Sequence, residues 1–162
     1  MEEVKYELER KLKTNFDDVL DDYRTRLGET LELPMPASYS WDFDPSFTIY
    51  NKYPVCQILG AKQDVDSTLS LGCSLVADND IAVAMIMIEQ NPTTLDKMKS
   101  RYGDALVAFM KKFNAGDYDR EYITMFGPEF SINYTRATRD EKTAAYVGSV
   151  WVFTKARIDT TI

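Results

Sequence analysis

Apolar residues recur at Val4, Leu8, Leu12, Phe16, Val19, Leu20, Tyr23 and Leu27. Spacings of three and four put them on one stripe of a helix, so the pattern predicts a helix over residues 1–27. Gly28 stands just after the last periodic residue, where a helix stop is expected. Residues 28–46 hold Pro34, Pro36 and Pro45 with Trp41 and Phe43 between them, and predict an extended connector. Ser46 to Ala61 is rich in β-branched and aromatic residues and predicts strand, with Pro54 at an edge or a break. Residues 61–80 are polar and turn-rich at both ends. They predict a long loop or arm, with an irregular strand around Leu69 to Val76.

Ile81 to Ile88 is an uncharged apolar run, as expected of a central strand buried on both faces. Gln90, Asn91 and Pro92 break it, and Thr93 or Thr94 is placed to cap the next helix. Leu95, Met98, Tyr102, Ala105, Leu106, Phe109, Met110 and Phe113 form a second helical stripe. Lys111 and Lys112 sit at its C-terminal end, favourable against the helix dipole, and Asn114 to Gly116 ends it. Phe130 to Thr135 alternates with period two. Residues 138–141 predict a turn, and Ala144 to Ile158 a long strand. One face of that strand carries Tyr146, Gly148, Val150, Val152, Thr154 and Ala156. The other carries Val147, Ser149, Trp151, Phe153, Lys155 and Arg157. The element order predicts one α+β domain over 1–162: a mostly antiparallel sheet, with the long N-terminal helix and a central helix packed on one face. No internal repeat or low-complexity tract interrupts it.

Composition narrows the function. The 162 residues include 10 Tyr and 8 Phe, and 44% are hydrophobic, enough for a real core. The N-terminus is charged and helical and lacks the apolar segment of a secretory signal, and no apolar run spans a membrane. A protein made and used in a cytoplasm is expected. Cys56 and Cys73 are too few for a disulfide framework and read as small buried hydrophobes. Net charge is −7, from 26 acids and 19 bases, so the basic footprint of a duplex-binding protein is missing. There is no histidine. That removes the commonest general base, the commonest metal ligand and the histidine-dependent nucleophile arrangements.

The remaining candidates for chemistry are weak. Asp78 to Glu89 places acids at positions 1, 3 and 12, as a calcium loop does, but Val83 stands where glycine is needed and the interior is apolar. Asp17, Asp18, Asp21 and Asp22 read as a solvated helix face, partly neutralised by Arg24 and Arg26. Asp117, Asp119, Arg120 and Glu121 read as a polar loop rather than an acid–base pair. Neither glycine-rich phosphate fingerprint occurs. No catalytic, cofactor or metal residue is assigned, and a non-enzyme working through its surfaces is expected. The candidate subunit or tube contacts are Trp41, Phe43, Asp64, Asp66, Leu69 and Leu71, which lie in the connector and the arm.

The order of these segments resembles a known family. A helical N-terminus precedes the strand YPVCQILG, then a long arm and the apolar strand IAVAMIMIEQ. A helix with Leu95, Met98, Tyr102, Ala105 and Leu106 comes next, and YVGSVWVFTKARI closes the chain. Across residues 1–158 this is similar to the tail terminator, or tail completion, proteins of tailed bacteriophages. The likeness is of element order and texture, without a diagnostic signature. It implies a homo-oligomer, a hexameric ring that caps the tail tube, stops its polymerisation and meets the head connector. The implied partners are further copies of itself, the tail tube protein and a head completion or connector protein. DNA only passes through the lumen, and the implied location is the virion, with no cofactor. The N-terminal helix and connector exceed the family minimum and leave a related neck component open. The alternatives are a head completion or adaptor protein, a carboxylate-dependent enzyme, and a host-directed binding protein.

Overall fold

The computed structural model describes residues 1–26, 31–41, 52–70 and 75–160. Its elements are α1 (Glu2–Arg26), β1 (Ser38–Ser40), β2 (Val55–Val65), β3 (Val76–Glu89), α2 (Pro92–Ala115), β4 (Ile123–Phe126), β5 (Ser131–Tyr134), β6 (Thr138–Arg139) and β7 (Tyr146–Asp159). The sheet runs β1-β2-β3-β7-β4, and β5 and β6 also pair with β7. Among the described residues, only the β1–β2 pairing is parallel. The architecture is α+β, a mixed and mostly antiparallel sheet with two helices.

β3 is the central strand, paired along its whole length with β7 and over most of it with β2. Val83, Met85 and Met87 point to the helix-covered face and are buried with the α1 and α2 stripes. Each large side chain hidden this way contributes roughly 1.5–3 kcal/mol. Phe16 of α1 meets Phe109 of α2 edge-on at 6.1 Å, and Phe113 meets Phe126 of β4 at 5.0 Å. Gly103 and Gly148 allow α2 to lie close on β7. A Cβ on Gly103 would stand 3.0 Å from Val150, and one on Gly148 would stand 3.2 Å from Leu95.

The cap of α2 differs from expectation. Asn91, not Thr93 or Thr94, is the N-cap, and its side-chain oxygen accepts from both threonine N–H groups. Asn91 holds the extended backbone an N-cap needs, and Pro92 starts the first turn. Gly116 closes the helix at φ 89° and donates to the carbonyls of Lys112 and Phe113.

The segment 61–80 also differs. Instead of the expected loop or irregular arm, Ala61 to Val65 continues β2 and Val76 to Asp80 begins β3. A register shift between Gly60 and Lys62 marks a bulge, after which the ladder resumes. Backbone pairing builds this hairpin, so hydrophobic periodicity does not reveal it. Asp66 N–H closes it on the Val76 carbonyl at 2.8 Å. The connector contributes the short strand β1, and the chain gains β4 and β6, which are too short for a period to show.

Candidate interaction surface

Side chains alternate across the sheet, so the face turned away from the helices can be read from the strand register. Four of its cross-strand rows run from the middle of β3 towards the hairpin end. The first is Gln57, Ala84, Trp151 and Asn133; the second is Leu59, Ala82, Phe153 and Ser131. The third is Lys62, Asp80 and Lys155; the fourth is Asp64, Asp78, Arg157 and Met125. Two rows have an apolar centre and two are charged. Among the described residues no helix covers this face.

The apolar half is shaped by unequal side-chain size. Ala82 and Ala84 are buried and stand opposite Phe153 and Trp151 of β7 in the ladder. The two rings stack with centroids 6.2 Å apart. The Trp151 indole N–H donates to Ser149 Oγ at 2.9 Å, and that hydroxyl lies 2.9 Å from Thr135 Oγ1. The tryptophan is therefore fixed, while Phe153 remains 42% exposed. Residues 127–131 form a wall beside the rings, held by Gly127 N–H on the Lys155 carbonyl and Thr154 Oγ1–H on the Glu129 carbonyl. Between wall and sheet lies an open groove of about 1250 Å³. A smaller hollow of about 320 Å³, beside Ile86 and Arg136, meets it at Trp151.

The charged half is internally paired. Arg157 lies 3.7 Å from both Asp66 and Asp78, Lys155 lies 3.9 Å from Asp80, and Lys62 lies 2.8 Å from Asp64. Asp64 and Asp78 face each other across the ladder, an unfavourable pairing that the basic neighbours offset. The hydrogen bond from Lys62 holds the Asp64 carboxyl below the usual aspartate range and raises the Lys62 ammonium. Asp66 is held low first by the Thr68 hydroxyl, then by the N–H groups of Thr68 and Leu69 and by Arg157. Exposed pairs of this kind add little to stability, because solvent screens them.

The six expected contact residues divide. Asp64, Asp66 and Leu69 lie together at the end of the β2–β3 hairpin. Trp41 lies apart from them, half-buried against α1, with its indole N–H donating to Glu9. Phe43 and Leu71 lie outside the described residues. The strongest aromatic feature of the uncovered face, Trp151 with Phe153, is not among the six. Its signal is the second face of the last strand, where rings stand beside lysine and arginine.

The acidic clusters read from sequence also resolve. Arg24 pairs with Asp17 and Asp21, and Lys112 pairs with Asp22 at 3.1 Å. Arg120 donates to the carbonyls of Phe113 and Asn114 at the end of α2. Asp78 to Glu89 is the whole central strand apart from its first two residues, so its acids do not converge as a calcium loop requires. Among the described residues no group of three or more Cys, Asp or Glu side chains is placed to hold a metal. No described helix is long and apolar enough to cross a membrane.

The chain has an α+β fold whose sheet is covered by helices on one face and, among the described residues, by no helix on the other. Comparison with protein families and with curated proteins finds no match. Among solved structures, a chain of the virion of a native gene transfer agent particle is similar at 16% identity. The match covers 76% of this chain and 78% of that one, with a TM-score of 0.34. A superposition this loose assigns neither fold nor function.

Proposed function

We propose that this chain is a structural subunit of the neck of a phage-like particle. In this reading it is a tail terminator that caps the tail tube as a ring, stops its polymerisation and offers a surface for head–tail joining. The observation that carries the reading is the two-part sheet face, an apolar groove beside a paired charge ladder, open along its length. A broad open face suits a protein partner better than a small substrate, which an enclosed pocket buries. The projecting β2–β3 hairpin adds a second, different surface, and a ring of identical subunits needs two unlike contacts. The net charge of −7 suits a wall past which DNA slides, because acidic groups do not hold phosphates. Support comes from this surface and from the order of the elements, not from the loose virion neighbour. No reaction is assigned to the chain.

The test is tail length by electron microscopy after deletion of the gene from its particle. Long, variable, headless tails are the expected result. Tails of normal length lying beside unattached heads would replace the terminator with a head-side adaptor. Normal infectious particles would overturn the virion reading and leave an enzyme or a host-directed binder.

A further inference from the structure

The β2 and β4 edges of the sheet differ. At β4, Glu7 accepts the Ile123 N–H, and the Asn114 side chain takes both the N–H and the carbonyl of Phe126, each at 2.7 Å. Side chains thus cap that edge against a further strand. On β2, the short strand β1 covers only Val55 to Gln57. Among the described residues nothing pairs with the outer edge of β2 from Ile58 to Val65, and Ala61 to Val65 is exposed throughout. We propose that this edge is a strand-addition site for a second copy of the chain, the two β2 strands pairing antiparallel about a two-fold axis at Gln63. Such a contact is isologous and independent of the neck reading, because a ring needs unlike contacts on other surfaces.

Register and charge together select the occupant. The Asp66 N–H bonds the Val76 carbonyl at 2.8 Å, and the ladder runs without a break from there back to Lys62. Main-chain direction alternates along an antiparallel strand. Lys62 and Asp64 therefore turn their N–H and carbonyl groups to β3, and Gln63 and Val65 turn theirs outward. An added strand must match outward groups with outward groups. With Gln63 opposite Gln63 of the second copy, the two residues exchange both bonds. Lys62 then stands opposite Asp64 of the second copy, and Asp64 opposite its Lys62. Both side chains lie on the uncovered face, 65% and 49% exposed. Sliding either way to the next register that matches outward groups sets Asp64 against Asp64 or Lys62 against Lys62, which like charge disfavours. Parallel addition in register also sets like charges side by side. The strand is thus complementary to itself in the antiparallel register centred on Gln63. The bulge between Gly60 and Lys62 confines the pairing to residues 61–65, so the edge admits one short partner segment instead of an extended stack.

The test uses the full chain in a Cys73→Ser background, where the remaining Cys56 is buried. Gln63→Cys places a thiol on the axis, with the two Cα atoms about 5.5 Å apart, a separation a disulfide spans. Mild oxidation is expected to link this variant into dimers roughly tenfold faster than Lys142→Cys, a control on the exposed turn after β6. Lys62→Cys stands diagonal to itself across the axis and is expected to link no faster than the control. An equimolar mixture of Lys62→Cys and Asp64→Cys is expected to link as a mixed dimer. Sedimentation velocity over a concentration series then reads the charges. Lys62→Asp and Asp64→Lys are each expected to weaken the pairing roughly tenfold, and their equimolar mixture to restore it. Gln63→Cys that links no faster than the control, or charge variants that pair as wild type does, would overturn the inference. Lys62→Cys that links to itself faster than the mixture would overturn the register and with it the two-fold axis. A wild type that stays monomeric throughout would also overturn it, and would leave the edge to a strand from another protein. The neck reading fails separately, by normal tails after gene deletion.

Discussion

Glu7 of α1 and Ile123 of β4 are joined by a 2.7 Å hydrogen bond, the carboxylate oxygen Oε2 accepting the backbone N–H. The same oxygen accepts from Tyr122 N–H, and Oε1 accepts from Glu121 N–H, each at 2.7 Å. Glu7 is fully buried. One side chain thus satisfies three main-chain donors as the chain turns into β4, and it ties the N-terminal helix to the far edge of the sheet. Replacing it by alanine leaves those donors without an acceptor. Glu7→Ala is expected to cost about 2–4 kcal/mol. That corresponds to a fall of roughly 5–15 °C in melting temperature for a chain of this size. Glu7→Gln keeps one oxygen for two donors but sets an NH₂ group against the third, so about half that cost is expected. Denaturant unfolding of the three proteins checks it, and equal midpoints for wild type and Glu7→Ala would refute the account.

Gly103 sets the distance between α2 and the sheet. Its missing side chain leaves room for Val150 and Ile132, whose Cγ2 atoms would lie 3.0 and 3.1 Å from a Cβ. Gly103→Leu has to push the helix off β7, and overpacking of this kind typically costs about 1–3 kcal/mol. Gly103→Ala offsets a smaller clash by about 1 kcal/mol of helix propensity. Thermal melts should therefore rank wild type and Gly103→Ala close together and Gly103→Leu well below both. A leucine variant that melts with wild type would show that α2 moves freely on the sheet.

The sheet core is legible in the sequence because it keeps a period. Ile81 to Ile88 announces the central strand, Leu95 to Phe113 the covering helix, and the alternation through Tyr146 to Ala156 the inward face of β7. Other features have no hydrophobic period. The hairpin arms 61–65 and 76–80 are held by main-chain pairing and by charges such as Asp66 and Arg157, so their polar composition looks like loop. Glu7 stands among Glu2, Glu3 and Glu9, and composition alone does not single out the one whose carboxylate is buried. Trp151 and Phe153 are visible as residues. That nothing described covers them depends on where both helices pack, which no local pattern encodes.

Asp66 makes the hairpin tip acid-sensitive. Its folded-state carboxyl lies below the ordinary aspartate value of 3.8, first because the Thr68 hydroxyl donates to it. A group lowered on folding contributes its stabilisation above the unfolded value and loses it as pH falls through the folded value. The tip is therefore expected to stay ordered at neutral pH and to loosen below pH 3.8. Amide exchange at Thr68 and Leu69, corrected for intrinsic rates, should speed up over that window. In Asp66→Asn, which cannot titrate, the acid-induced step should vanish. A step that persists in this variant would assign it to another group.

Tyr102 and Cys56 test the interior from two sides. The Tyr102 hydroxyl donates to the Pro34 carbonyl at 2.6 Å and pins the connector onto α2. Burial raises its ionisation well above that of a free phenol. Tyr102→Phe removes one such bond and should cost about 1 kcal/mol. The Cys56 thiol lies under the helices, and burial, with the Glu9 carboxylate as the next contributor, pushes its ionisation far upward. Because the thiolate is the reactive form, Cys56 in a Cys73→Ser background should resist a thiol reagent in the folded protein and react promptly in denaturant. Loosening the connector by Tyr102→Phe should speed the folded-state reaction only as far as it raises the globally unfolded fraction, about fivefold. A much larger acceleration without a matching loss of stability would mean that the connector opens on its own and exposes the core locally.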